Sequence, residues 1–384
     1  MDNQKVFRIG PIRPPSEANS LLLQVTAGCT WNKCKFCQLY RHTKFKAYTV
    51  DSIKTDIDVM EYYKDLIMKH QRNDGSFDHR DIMDEILSKR LTSEEQNCFY
   101  MIYNWLLNGG KNVFLQDGNT LALSAGRLTE VLYYLKSKFP TIKRITSYGR
   151  AETLSKVTAS QYKELKEAGL DRIHSGFESG SDLVLELINK GVTSEEQIIA
   201  GKNIKEGGIE LSVYFMPGIG GETLSEENAL GTSRVVREIN PDFVRIRTAV
   251  IKEGTELWQE YINNGFELCS DNDKVLEIRK LIENTNSCQG ILVSDHIINL
   301  LQDVTGRLDK DNKKMLSIID EYLNLSIIEQ RRYQLARRAG LVSRIEDMQL
   351  LTDIQRNQID KYSKDVFSET EWDKKMNELI MNYI

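Results

Sequence analysis

Two kinds of apolar pattern alternate along the chain. Short, nearly continuous apolar or β-branched runs occur at 20–29 (SLLLQVTAGC), 112–119 (NVFLQDGN), 144–150 (RITSYGR), 171–179 (DRIHSGFES), 209–218 (IELSVYFMPG) and 242–250 (DFVRIRTAV). Such runs predict strands buried on both faces, and most lead into polar or glycine-bearing residues. Between them the apolar positions recur with helical spacing. Leu128, Val131, Leu132 and Leu135 share one face of 124–139, and the helical stretch 158–169 stops at Gly169. The stretch 193–208 opens with a capping-box pattern, Thr193 to Glu196, and closes on a glycine pair. This alternation predicts βα units around a parallel sheet. Six strands before residue 250 are too few for a closed eight-stranded barrel, so the expected fold is α/β, a partial, open (β/α)6 barrel.

The pattern also predicts the domain organisation. Residues 1–19, with the stiff Pro14–Pro15 pair, form an N-terminal extension expected to cap the barrel. Residues 20–255 form the barrel, interrupted by a polar insertion at about 71–91 that reads as a solvated connector. Residues 256–384 form a helical C-terminal region, with helical periods at 272–285, 295–308, 311–325 and 326–341. The last of these carries Arg331, Arg332, Arg337 and Arg338, which read as a solvated helix face rather than a patch for an anionic substrate.

Composition narrows the function classes. The 384 residues are 40% hydrophobic and 28% charged, ordinary for a globular chain, with a net charge of −5. Nucleic-acid readers draw affinity from a basic excess, so the acidic balance argues against DNA or tRNA as partner. No apolar run reaches the roughly 18 residues of a membrane span, and MDNQKVFRIG lacks the apolar core of a signal peptide. A cytoplasmic, reducing location is expected, where clustered cysteines act as metal ligands or redox groups rather than disulfides.

Three of the six cysteines, Cys29, Cys34 and Cys37, fall within GCTWNKCKFCQLY, directly after the first strand. Structural zinc takes four ligands, usually as two pairs, and no fourth cysteine stands at a matching spacing. Three thiolates suit a four-iron cluster with one iron open to a ligand. Cys98, Cys269 and Cys288 are isolated and read as small buried apolar residues.

A strand entering a three-cysteine loop, with Phe36 just before the last cysteine, resembles the radical S-adenosylmethionine (SAM) superfamily. The resemblance extends over roughly residues 7–265. The longer spacing, Thr30 to Lys33 between the first two cysteines where the usual motif has three residues, resembles one branch of the superfamily. The segment SGFESGSDLVLELINKGVTSEEQIIAG resembles the fourth-strand region of oxygen-independent coproporphyrinogen III oxidase and its relatives. The resemblance implies a [4Fe-4S] cluster on Cys29, Cys34 and Cys37, whose open iron chelates the methionine moiety of SAM. One electron then cleaves the sulfonium to a 5′-deoxyadenosyl radical that abstracts a substrate hydrogen. It further implies that Phe36 lies by the adenine. Gln116, Asp117 and Gly118 meet the ammonium of the methionine moiety. Glu178 accepts the ribose hydroxyls, and the turn with Gly218 and Gly220 lies against the adenine. Arg247 reaches the cofactor carboxylate or a substrate anion, with Tyr148 and Arg150 as weaker cofactor contacts. The haem reaction is not carried over, since FRIGPIRPP lacks the tyrosine–histidine start of a true coproporphyrinogen oxidase.

The expected function is therefore that of a radical SAM enzyme acting on a small or medium organic substrate. A one-electron donor such as flavodoxin or ferredoxin, no membrane and no nucleic acid are expected as partners. The alternatives are a radical SAM tRNA-modifying enzyme, a non-catalytic carrier of iron–sulfur clusters or haem, and a zinc-binding structural protein. A catalytic side chain is not identified; His296, in VSDHIINLL, is a candidate proton donor or anion contact, against a reading of Ser294 or Asp295 as a helix N-cap.

Overall fold

A computed structural model describes residues 5–363 and 368–381; residues 1–4 of the expected extension, and 364–367 and 382–384 of the expected C-terminal region, lie outside the described residues. The chain is α/β, with mostly parallel strands, and its contacts group it into two compact units. The first comprises 1–30, 42–174 and 206–209, and the second 31–41, 175–205 and 210–384.

In the first unit, β1 (Leu21–Gln24), β2 (Asn112–Gln116), β3 (Arg144–Tyr148) and the first half of β4 (Leu170–Glu178) lie side by side in that order, all parallel. Leu21 pairs with Val113, Val113 with Ile145 and Tyr148 with His174. Leu21–Leu23 and Val113–Leu115 are buried, as strands sandwiched between helices must be. Of the covering helices, Val50–Met68, Ser93–Leu107, Ala125–Lys138 and Ala159–Ala168, all but Ala125–Lys138 begin on a side-chain cap. Thr92 with Glu95, and Thr158 with Gln161, form reciprocal capping boxes, and Gly169 ends its helix at φ 114°.

The insertion is largely exposed, over residues 71–76 above all, and partly folded. A bridge between Gln71 and Phe77 closes a turn, Asp78 caps a helix over His79–Lys89, and Ile82 and Ile86 of that helix are buried. The extension is tied down in the same unit. Arg8 pairs with Asp56 at 2.5 Å, and buried Glu17 accepts from Ser20 at 2.7 Å and pairs with Arg144.

In the second unit, β5 (Glu210–Phe215), β6 (Phe243–Ile246) and β7 (Ile291–Val293) are parallel, and β8 (Gly306–Arg307) runs antiparallel to β7. All six expected strands are present, but β7 and β8 add to them in a region read as helical. The stretch 295–308 is irregular apart from β8 because side chains satisfy its backbone in place of helical bonds. Ser294 Oγ donates to the Leu301 carbonyl, and Arg337 and Arg338 donate to the carbonyls of Ile297, Ile298 and Asn299 at 2.6–3.1 Å. Those arginines are therefore not a solvated face. Each is 4% exposed, and Arg338 pairs with buried Asp271 at 2.7 Å. Arg332 pairs with Asp360 at 2.7 Å, and Arg331 lies over the Trp372 ring.

Candidate active site

The cysteine loop is built from its ends inward. A two-residue antiparallel ladder, Thr26–Ala27 with Lys46–Ala47, brings its ends together. Gly28 stands at φ 76°, where a Cβ would meet the Thr43 carbonyl at 3.2 Å. The boundary between the units falls inside the loop, so Cys29 belongs to the first unit and Cys34 and Cys37 to the second. In the second unit, residues of the long spacing serve as anchors. The Trp31 indole donates to the Asn189 carbonyl at 2.7 Å, and Asn189 donates to the Lys33 carbonyl at 3.0 Å. Lys35 pairs with Glu260 at 2.6 Å, and Arg41 donates to the carbonyls of Cys37 and Cys34 at 3.0 and 3.1 Å.

None of the six cysteines is in a disulfide; Cys34 is buried, and Cys29 and Cys37 are half-buried. Among the described residues no group of three or more His, Cys, Asp and Glu side chains is drawn together as a metal site. The donor chemistry nonetheless fits an iron–sulfur cluster: three unbridged thiols on one loop whose backbone is pinned on either side of them.

Gly191 has no room for a side chain. It stands at φ 64°, and a Cβ would lie 2.3 Å from the Trp31 ring. Gly191→Ala is expected to displace Trp31 and cost about 1–2 kcal/mol from the left-handed backbone alone. Iron per chain after anaerobic reconstitution should fall with it. Wild-type iron content would show that Trp31 does not set the loop.

At the strand ends of the first unit, Gln116 is buried and fully engaged. Its amide oxygen accepts from the Gly10 N–H at 2.8 Å, and its nitrogen donates to the carbonyls of Gly10 and Ile12 at 3.1 and 2.5 Å. Its side chain therefore holds the N-terminal extension, and a contact with the ammonium would fall to the neighbouring Asp117 and Gly118. The Asp117 N–H donates to Thr26 Oγ1 at 3.3 Å. Tyr148 meets Phe114 edge to face at 5.1 Å. Asn119, which the sequence did not single out, ties this end together. It donates to Thr30 Oγ1 at 2.9 Å and Thr153 Oγ1 at 2.8 Å, and accepts the Arg150 N–H at 3.1 Å. Asn119 thus links the residue after Cys29 to the end of β3.

In the second unit Glu178 ends β4 in the left-handed region, at φ 63°. Its carboxylate pairs with Lys190 Nζ at 2.8 Å, both side chains being largely buried. The same ammonium lies 5.7 Å from the centre of the Phe36 ring. Phe36 packs on an apolar cluster that includes Val184, Ile188, Ile219 and Leu257. The fold thus joins two predicted residues, Phe36 and Glu178, through Lys190, a lysine without any sequence signal of its own. Gly176 keeps space beside them, since a Cβ there would lie 2.3 Å from Glu178 Oε1.

The turn Met216–Glu222 rests on a residue that sequence reading missed. Glu277, 1% exposed on the helix Asp271–Asn284, accepts from the Gly218 N–H at 3.2 Å, Ser225 Oγ at 2.8 Å and Asn228 Nδ2 at 2.6 Å. Gly218 is at φ 85°, and at Gly220 a Cβ would meet the Leu224 carbonyl at 3.0 Å. Burial pushes the Glu277 carboxyl up to about 7, against the lowering effect of its bonds to Ser225, Gly218 and Asn228. The folded state thus holds this proton more tightly than an unfolded chain with its usual value of 4.5. Stability falls as pH rises between those values, by about 3 kcal/mol in all. Glu277→Gln should remove that dependence. The wild-type melting temperature is expected to drop between about pH 5 and about pH 8 while the variant's stays flatter. Parallel curves would assign the dependence to other groups.

At the ends of β6 and β7, Arg245 is held by Ser212 at 3.2 Å and Asp295 at 3.3 Å, and the Arg247 guanidinium lies 5.7 Å from the centre of the Tyr214 ring. Ser294 and Asp295 cap no helix, because β7 precedes them and an irregular segment follows. Burial, then the charge of Arg247, lowers His296 to about 4, so it is uncharged at neutral pH.

Residues 101–231, from the helix before β2 to the helix after β5, match the family model described as the Radical SAM superfamily. The chain carries a Radical SAM superfamily domain. An uncharacterized methyltransferase of Pyrococcus horikoshii is 30% identical to it over 155 residues, 40% of this chain and 32% of the relative. A tRNA uridine(34) acetyltransferase of Methanocaldococcus infernus is 27% identical over 113 residues, 28% of this chain and 20% of the relative. The chain thus spans a third or less of the length of these curated relatives. The crystal structure of methylornithine synthase superposes with a TM-score of 0.42 at 13% identity, covering 78% of this chain and 69% of that one. Members of the Radical SAM superfamily use a [4Fe-4S] cluster and SAM. Among the described residues no helix is long and apolar enough to cross a membrane.

Proposed function

We propose that this protein is a radical SAM enzyme that abstracts hydrogen from a small or medium organic substrate. In this reading it belongs to a branch related to oxygen-independent coproporphyrinogen III oxidase, receives electrons from a donor such as flavodoxin or ferredoxin, and works in the cytoplasm. The observation that carries the reading is the Glu178–Lys190 pair beside Phe36, in a chain whose cysteine loop holds three cysteines outside any disulfide. When bound through Cys29, Cys34 and Cys37, the cluster supplies the electron that cleaves the SAM sulfonium and so generates the hydrogen-abstracting radical.

The chain's own residues bind and orient. The Glu178 carboxylate is a two-oxygen acceptor suited to a vicinal diol, and Lys190, its partner, offers an ammonium to the cofactor's carboxylate. Phe36 presents a flat apolar face on a packed cluster. The Gly218–Gly220 turn lets backbone approach a planar base, while Asp117 and Gly118 supply carboxylate and carbonyl oxygens for an ammonium. Tyr148 and Arg150 are further contacts at the end of β3.

The test is cofactor turnover. Anaerobically reconstituted, reduced protein is expected to convert SAM to 5′-deoxyadenosine and methionine. An intact cluster without that product would favour a cluster or haem carrier. A second reading, tRNA modification, is supported by the likeness to a tRNA uridine(34) acetyltransferase, so the acidic charge balance does not close nucleic acid as a substrate. Deuterium carried from labelled tRNA into deoxyadenosine would distinguish it.

A further inference from the structure

Arg247 stands half-buried where β6 ends, against the face of Tyr214. Among the described residues its guanidinium has no hydrogen-bond or ion-pair partner. Its neighbours do not balance it. Arg245 is already paired with Asp295, and His296 is uncharged at neutral pH, held so by burial and by the Arg247 charge itself. The cluster of Arg245, Arg247, Asp295 and His296 therefore carries one uncompensated positive charge on a planar, five-donor group. A guanidinium in that setting matches a singly charged, planar or tetrahedral oxyanion, which it grips through two parallel N–H bonds.

In the proposed function the single carboxylate of SAM is assigned to Lys190, which lies beside Glu178 and Phe36, and that assignment leaves Arg247 for a different anion. We propose that Arg247 anchors a carboxylate or phosphodiester group of the second reactant, with Tyr214 and His296 as neutral walls of the subsite. The substrate is then a singly charged oxyanion-bearing molecule. Its meaning as a substrate subsite rests on the proposed function, whereas anion binding itself does not.

His296 is the reporter. It is one of five histidines, and its imidazole signal in the full-length, histidine-labelled protein can be assigned by loss in His296→Gln. Titration with propionate, and separately with dimethyl phosphate, is expected to move that signal saturably. The His296 proton affinity should rise as the anion offsets the Arg247 charge. Arg247→Gln should abolish the response and raise the His296 value without any anion, and Arg247→Lys should weaken anion binding about tenfold. A response to propionate alone assigns a carboxylate substrate, and one to dimethyl phosphate alone a phosphodiester. A His296 signal indifferent to both anions, or an equal response in folded Arg247→Gln, overturns the assignment. Failure of SAM cleavage with anion binding intact would instead remove the proposed function and leave this site standing.

Discussion

Alanine at Cys29, Cys34 or Cys37 is expected to reduce reconstituted iron to background and to abolish 5′-deoxyadenosine formation, while the fold persists. In the proposed function each thiolate would supply one of three protein bonds to the cluster, and two thiolates would not retain four irons with the open coordination position intact. The fold should survive because the loop is held by other groups. Trp31 binds Asn189, Lys35 pairs with Glu260, and Arg41 spans the carbonyls of Cys34 and Cys37. Loss of a small thiol, even buried Cys34, costs only about 1 kcal/mol of packing. Cys98 is the internal control. Its sulfur faces the Phe7 backbone, so Cys98→Ala should keep full iron content. Iron and sulfide per chain, visible absorbance and circular dichroism read the outcome. Full iron in any of the three loop variants would remove that cysteine from the ligand set.

The second large effect is on cofactor affinity. Glu178→Gln keeps the shape of the side chain but loses the charge that faces Lys190 and would accept a diol. Hydrogen bonds to a charged acceptor are worth roughly 1.5–3 kcal/mol, so SAM should bind about 10- to 100-fold more weakly at unchanged iron content. Lys190→Met should weaken SAM similarly and also destabilise the protein by about 3 kcal/mol, because it strands a buried carboxylate. Equilibrium dialysis with SAM, iron analysis and thermal melts separate the two contributions. Wild-type affinity in Glu178→Gln would retire that residue as a ribose contact. An unchanged melting temperature in Lys190→Met would show that the pair is not a buried one.

Six strands, most of the helices and the chemistry-bearing loop were legible in the chain because their signals are local. Apolar periodicity, caps such as Thr92–Glu95 and Thr158–Gln161, and the glycine stop at Gly169 all act within a few residues. The same locality explains the failures. The stretch 295–308 has a helical period, yet Arg337 and Arg338, some forty residues on, take its carbonyls and hold it irregular. The polar stretch at 71–91 is exposed over most of its length, and its polar composition did not show that the turn at Gln71–Phe77 and the Asp78 cap fold part of it into a helix.

For the candidate site the division is similar. The sequence alone determined the kinds of donors: three thiols on one loop, a glutamate at a strand end, and glycines where backbone must come close. Residue type and short spacing carry that information. Only the tertiary structure decided which charges meet: Lys190 with Glu178 beside Phe36, Asn119 between Thr30 and Thr153, Glu277 beneath Gly218, and Arg247 facing Tyr214 without an acid. Hydrogen bonds and ion pairs act over a few ångströms in space. Chain distance says nothing about them until the strands and helices have brought their ends together.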